Sequence, residues 1–374
     1  MAEVVDLGEL HGTSFVQGQN MLVEELKNQS QWVEFLQTSE DATFYHSLKW
    51  KEVIEKSFPY YAFYLVVRDT SGDLVGICPG FIVKSGPLKT YVSIPHSDFG
   101  GPVIEKNYVR RASLSLLAFM KRICSDKGVA YAKLLFSNEQ MARFYKTPLG
   151  YVDRSTGIME IDLQDTSPDF IWSKVFSSRR RKRMKWFERD GFQIREICGK
   201  SDLVSFYDLY LSNMRYIGAQ EYPYAFFQNV WRVLYPKNFN ILLVEKKKTL
   251  GGLAFFKYRQ RVYVSYLGMN RDLLSSRYSL GSYLYWEAVK WASKNGFRYV
   301  CLGSTPSDME STYYSQKMIF GSSFYRQEMV SYPITYAGGI FLQTRTTAIS
   351  WWRTIRTLLP RNFKDFIENR LARS

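Results

Sequence analysis

Tyr91-Val92-Ser93 followed by Ser125-x-x-Gly128-x-x-Tyr131, and Tyr263-Val264-Ser265 followed by Ser293-x-x-Gly296-x-x-Tyr299, are one pattern written twice, about 170 residues apart. In each copy a β-type run ends in Tyr-Val-Ser, a helical pattern follows, and Ser-x-x-Gly-x-x-Tyr leads into another β-type run. The glycine suits a helix terminus, where the left-handed conformation is cheapest without a side chain. The chain therefore reads as a duplicated α/β unit, with its function expected between the copies.

Around the first copy, Tyr61 to Val67 is a β-type run, Asp69 to Asp73 is hairpin-turn chemistry, and Leu74 to Val83 and Tyr91 to Ile94 continue as antiparallel strands. After Gly100-Gly101-Pro102, the positions Leu116, Leu117, Met120, Ile123 and Cys124 make one face of a helix, and Ala130 to Phe136 is the next strand. The second copy repeats the order. Asn240 to Glu245 is a strand, Lys246 to Gly252 a turn, Leu253 to Tyr258 and Arg261 to Leu267 are strands, and Leu280 to Lys294 is a helix with Leu284, Ala288, Trp291 and Ala292 buried. Phe297 to Leu302 closes the unit. Between the copies, Trp172 to Trp186 reads as a basic helix leading to the strand Gln193 to Ile197, and Met21 to Lys27 as a short helix. The boundary falls near Thr166 to Pro168, giving a first domain 1–166, a second 167–336 and a tail 337–374.

The 374 residues suit two domains of roughly 150 each. An aromatic content of 17% excludes general disorder. Cys78, Cys124, Cys198 and Cys301 stand singly, which suits buried thiols in a reducing compartment and gives no metal site. No metal or redox cofactor is expected. The opening MAEVVDLGEL has neither a basic nor an apolar leader region, and no run reaches the roughly 18 apolar residues of a membrane span, so a cytoplasmic location is expected. Net charge is +15, and Ser173–Arg189 and Phe341–Ser374 together supply 12 of it. Charge concentrated in this way points to a phosphate-bearing partner: RNA, a nucleotide-linked substrate or an anionic lipid surface.

A duplicated meander of strands followed by helix and strand resembles the acetyltransferase (GNAT) fold. "ATFYHSLKW" (Ala42 to Trp50), "SIPHSDFGGPVI" (Ser93 to Ile104), "RRRKRMKWFERDGFQIRE" (Arg179 to Glu196), "GSYLYWEAVKWASKNGFRYVCLGSTP" (Gly281 to Pro306) and "YYSQKMIFG" (Tyr313 to Gly321) together look like the FemAB-like acyltransferases, over roughly residues 40 to 335. The resemblance implies an α/β (α+β) chain of tandem GNAT-like domains, each with a mixed, mostly antiparallel sheet flanked by helices. It also implies transfer of an aminoacyl or acyl group from aminoacyl-tRNA or another activated donor to an amine of a cell-envelope precursor. Two departures bear on donor and acceptor: the chain has no long coiled-coil insertion of the kind carried by the tRNA-using branch, and Gln316 stands where the pattern has an apolar or aromatic residue.

Acyl transfer to an amine needs a neutral amine, donors near the carbonyl oxygen and a proton for the leaving group. Asp98 could orient or deprotonate the amine, or simply cap its turn; His96, two residues away, is a second candidate base or substrate contact. Lys317 lies in a segment that resembles the family's Tyr-x-x-Lys-x-x-aromatic-Gly pattern, with Tyr314 and Phe320 as aromatics, and could stabilise an oxyanion or hold a phosphate. Ser304 and Thr305 could bind substrate after the closing strand, and Arg179, Arg180 and Arg183 could hold a pyrophosphate or tRNA backbone. Acetyl-CoA enzymes of the GNAT type open their central helix with a glycine-rich turn for the pyrophosphate. Here Arg277-Tyr-Ser-Leu-Gly281-Ser282 puts Leu280 at the first glycine position, which disfavours the usual CoA mode. Two other readings stay open: a CoA- or carrier-protein-dependent enzyme acting on a small amine or sugar, and a non-catalytic RNA- or membrane-binding module. The tail carries Trp351, Trp352, Ile355, Leu358 and Leu359 against Arg353 and Arg356, then Phe363, Phe366, Ile367 and Leu371 after Pro360. It suits either a peripheral membrane contact or packing on the first domain.

Overall fold

The computed structural model describes residues 21–86, 88–136, 139–270 and 278–356. They form two compact units: residues through Ala42 with Tyr60–Asp153 and Glu328–Trp352, and Thr43–Pro59 with Arg154–Gln327.

The second unit holds a seven-stranded sheet in the order Gln193–Glu196, Phe239–Lys246, Lys248–Tyr258, Arg261–Met269, Tyr299–Pro306, Thr156–Asp162, Ser323–Arg326. All neighbours are antiparallel except Arg261–Met269 and Tyr299–Pro306, which run parallel. The strand FNILLVEK carries an unbroken apolar run, Ile241 to Val244, because both faces of the sheet are covered there. On one face Leu242, Val244, Leu253 and Phe255 pack with Leu284, Ala288 and Ala292 of the helix Leu280–Lys294. On the other, Phe256 meets Phe44 at 4.6 Å and Trp50 at 5.2 Å, and Tyr266 meets Phe227 at 5.3 Å.

The turn expected over Lys246 to Gly252 shrinks to a reversal at Lys247, and the strand begins at Lys248. Gly251 and Gly252 are strand residues whose absent side chains admit the two helix layers. A Cβ on Gly251 would lie 2.7 Å from Leu280, and one on Gly252 would lie 2.8 Å from Phe206.

The first unit repeats the plan with a break. Where the second unit has one strand, Lys248–Tyr258, bonded to both neighbours, the first has Leu74–Cys78 paired with Leu65–Arg68 and then Phe81–Ser85 paired with Leu88–Val92. Pro79 supplies no ladder N–H. Gly80 lies under the Tyr91 ring, whose nearest atom would be 2.1 Å from an added Cβ. The sheet thus divides into four strands and six. The repeated Ser-x-x-Gly steps match closely: Gly128 (φ 70) and Gly296 (φ 75) end the helices Val109–Asp126 and Leu280–Lys294, each bonded to the serine three residues earlier.

Four expectations are corrected. Residues Leu22–Glu25 form a strand beside Leu65–Arg68, where a helix was read. The boundary near 166 is displaced because the strand Thr156–Asp162 joins the second unit's sheet, whereas Glu328–Pro333, assigned to the second domain, is a central strand of the first. The motif Ala42 to Trp50, read as part of the first half, is divided, with Thr43 onward in the second unit's core. The basic helix breaks at Phe176, leaving Pro168–Phe170 and Ile171–Val175 before Ser178–Arg189, because Arg181 donates to the carbonyls of Trp172 (3.1 Å) and Phe176. The tail begins with the helix Tyr336–Arg356; its later apolar pattern lies outside the described residues.

Gly268 sets how closely the helix Lys200–Ile217 approaches the sheet, since an added Cβ would lie 2.9 Å from Tyr210 N and 3.1 Å from Phe206 O. These are backbone atoms and cannot rotate away. Gly268→Ala is expected to cost about 1–3 kcal/mol, read as a lower midpoint in urea unfolding.

Candidate active site

The second unit's sheet opens between its two parallel strands. Pairing runs Arg261↔Tyr299, Val262↔Val300, Tyr263↔Cys301 and stops. Each strand carries a bulge at that level. Ser265 is the extra residue between the pairs Phe255↔Val264 and Ala254↔Tyr266. Leu302 and Gly303 together face Met159, and Gly303 takes φ 79. Bulges bend their strands and raise local twist, so the two backbones diverge.

Into this divergence opens a cavity of about 330 Å³, lined by Leu267 and Met269 from one strand, Ser279–Ser282 at the start of the central helix, Asn213 and Tyr216 from the helix Lys200–Ile217, Tyr285, and Tyr313 and Lys317 from Thr312–Met318. Ser279, which opens the central helix, makes no side-chain cap, so the first helical N–H groups keep their full dipolar character toward the cavity side.

Lys317 is 9% exposed and donates to Gly303 O (3.2 Å), Ser304 O (2.7 Å) and Thr305 Oγ1 (2.9 Å). The left-handed Gly303 is what turns two successive carbonyls toward one ammonium. With its three protons donated, Lys317 is a fixed cation on the cavity wall and not a proton acceptor. Of the residues singled out in the sequence, the structure thus joins Lys317, Ser304 and Thr305, though through the backbone of Ser304 and not its hydroxyl. Tyr314 packs on Phe324 at 5.5 Å.

Asp98 and His96 belong to the first unit, in the turn after its own Tyr-Val-Ser. There the slot equivalent to the second unit's cavity is stitched shut. Ser93 N donates to Lys133 O at 2.9 Å, Leu135 N donates to Ser93 Oγ at 3.2 Å, and a Cβ on Gly101 would sit 2.3 Å from Leu135 O. His96 is held at φ 59, stacked on Tyr60 at 5.7 Å with Nε2 to the phenol oxygen at 3.0 Å, and burial lowers its pKa to about 4.

Arg179, Arg180 and Arg183 project from the helix Ser178–Arg189, whose Met184 and Phe187 face the core. Among the described residues none of these three, nor Lys182 or Lys185, forms an ion pair. Cys78, Cys124 and Cys301 are buried, the first two with pKa pushed up to about 12 by desolvation. Cys198, also expected inside, is exposed and donates to Asp202 at 3.3 Å. Among the described residues no helix is long and apolar enough to cross a membrane.

Asn213 and Tyr216 are not among the residues singled out from the sequence, yet they line the cavity. The signal was there: Leu203, Phe206, Tyr210 and Asn213 recur at helical spacing, and Asn213 is the polar member of an otherwise apolar stripe.

Comparison with known proteins agrees with this architecture. Residues 173–311 match the model of the acetyltransferase (GNAT) domain. FemX shares the fold at TM-score 0.62 and 13% identity, over 82% of this chain and 96% of that one. A tandem GNAT protein from the clavulanic acid biosynthesis pathway gives 0.58 and 12%, over 84% and 99%. L-PGS from Bacillus licheniformis gives 0.54 and 12%, over 86% and 97%. No curated protein matches at the level of sequence. The domain match over residues 173–311 and the likeness to a tandem GNAT structure agree on the fold: tandem GNAT-like units. The FemAB-like resemblance fits these findings at the level of fold.

Two measurements probe the site. Lys317→Met removes the ammonium that donates to Ser304 O and Gly303 O and leaves Gly303 O the Thr305 hydroxyl alone; it is expected to lose about 1–3 kcal/mol of stability and about 100-fold in turnover, and a variant with unaltered rates contradicts the role of this cation. His96 is neutral in the folded state, whereas in the unfolded chain it binds a proton below about pH 6.5. Stability is therefore expected to fall as pH drops from about 6.5 to about 4, by about 2–3 kcal/mol in total. Chemical denaturation of wild type and His96→Gln across that range should show the slope flattened in the variant.

Proposed function

We propose that the chain transfers an acyl group to an amine, with the activated donor seated in the second unit's cavity and its carbonyl against the unzipped strand Val264–Met269. The observation that carries this is the divergence after Tyr263↔Cys301, which frees one strand edge beside a fixed cation and an uncapped helix start. Backbone N–H groups along that edge and the Lys317 charge would favour the developing oxyanion. An anionic carrier is favoured by the helix start and by the unpaired Arg179, Arg180 and Arg183.

Within this class, a FemAB-like reaction is the favoured reading: an aminoacyl group, carried on tRNA, passes to an amine of an envelope precursor. Leu280 supports a donor other than CoA held in the usual way. At 3% exposure its side chain is committed to the core against Gly251, where a pyrophosphate turn has glycine. A CoA or carrier-protein thioester is the second reading, favoured by the likeness in fold to the tandem GNAT protein from the clavulanic acid biosynthesis pathway, a structure described as without AcCoA.

Incubation with a charged tRNA pool and an envelope extract, followed by mass spectrometry, is expected to reveal an aminoacyl mass on an amine that RNase pretreatment of the pool abolishes. Addition that survives RNase and requires a thioester would transfer the assignment to the second reading.

A further inference from the structure

A second cavity, of about 490 Å³, opens within the second unit at the other end of the helix Lys200–Ile217. Lys200 and Leu203 line it from the first turn, whereas Asn213 and Tyr216 of the last turns line the cavity described above. The rise from Leu203 to Asn213 separates the two by about 15 Å. The opposite wall is the helix Tyr224–Leu234, whose core face is Phe226, Phe227, Val230 and Leu234. Tyr224, Gln228 and Trp231, at i, i+4 and i+7, make a different stripe and line the cavity together with Tyr235 just past the helix end. Trp231 and Tyr235 are stacked, their centroids 3.7 Å apart and their planes 13° apart. Asn229 Nδ2 donates to Lys56 O and Ser57 Oγ, both at 3.0 Å, so its Oδ1 is the end that accepts from Arg232 Nη2 at 2.7 Å. That bond holds an exposed guanidinium at the cavity with N–H groups to spare. Lys200 and Gln228 are exposed and have no partner among the described residues. Trp231 Nε1 and Tyr224 Oη have none either, and both atoms are open to solvent. Among the described residues that line the cavity none is acidic.

Two cations and three neutral donors therefore surround one space beside a flat ring stack, with no carboxylate to answer them. An anionic group matches the cations through charge-assisted hydrogen bonds, and a flat ring matches the stack in any base sequence. We propose that this cavity binds a nucleoside 5′-phosphate, with the base on the Trp231–Tyr235 stack, the phosphate on Lys200 and Arg232, and Gln228, Tyr224 and Trp231 Nε1 donating to the sugar and base edges. A free nucleotide and one residue of an RNA strand present the same chemistry here. The site goes beyond the acyl transfer assigned to the first cavity and does not rest on it.

Binding to the full chain is measured by calorimetry for the four ribonucleoside 5′-monophosphates, their nucleosides, ribose 5-phosphate and a mixed-sequence RNA tetranucleotide. The tightest monophosphate is expected to bind about tenfold or more tightly than its own nucleoside and than ribose 5-phosphate, since each of those lacks one half of the contacts. A tetranucleotide about tenfold tighter than any monophosphate identifies an RNA strand as the source, and equal or weaker binding identifies the free nucleotide. Lys200→Ala and Gln228→Glu change exposed, unpartnered side chains and leave the fold intact; each is expected to weaken nucleotide binding about tenfold, the first by removing a phosphate contact and the second by placing a negative charge in the cavity. Binding that both variants leave unchanged belongs to another part of the chain, such as the basic helix Ser178–Arg189, and overturns the proposal. Ribose 5-phosphate binding as tightly as the monophosphates, or no binding by any probe, overturns it equally.

Discussion

The second unit depends on two parallel strands that stay paired for three residues and then part. An intact ladder between Arg261–Met269 and Tyr299–Pro306 would satisfy every backbone group and leave no edge for a ligand. Parting them exposes polar backbone, which must be compensated. One strand yields through the Ser265 bulge and the other through the left-handed Gly303, and the carbonyls turned out at Gly303 and Ser304 are collected by the Lys317 ammonium. The same contact that stabilises the opening therefore places a positive charge on its wall.

Duplication supplied two such strand pairs, and only one is open. The serine of the Tyr-Val-Ser repeat shows how. In the first unit Ser93 bonds across to Lys133 and Leu135, and the following turn, with Gly101 against Leu135, fills the slot. In the second, Ser265 turns instead toward Tyr45 Oη at 3.2 Å, and Tyr45 belongs to the Thr43–Pro59 segment that joins this unit. A segment distant in sequence thus engages the residue that would otherwise sew the sheet together. The first unit keeps the fold and uses its turn to hold His96 at a left-handed φ of 59.

Much of this was legible in order of residues. The copy structure, the helix Leu280–Lys294 with its buried stripe, and the Gly128 and Gly296 termini all follow from local patterns, because periodicity and glycine conformation act within a few residues. Leu280 at a glycine position was equally readable, and its burial against Gly251 explains why it cannot yield.

The rest required tertiary contact. Gly251-Gly252 reads as a turn until two helix layers are seen pressing on opposite faces of one strand, and the domain boundary reads at 166 until Thr156–Asp162 and Glu328–Pro333 find their partners in the other stretch of chain. Asn213 is an ordinary helical polar residue until its amide meets Leu267, 54 positions later. By itself the sequence determined the elements and their repetition, since hydrophobic periodicity and backbone preference are local. Only the tertiary structure decided which slot opens and what faces it, since strand pairing and the burial of a polar atom depend on residues that the chain brings together from far apart.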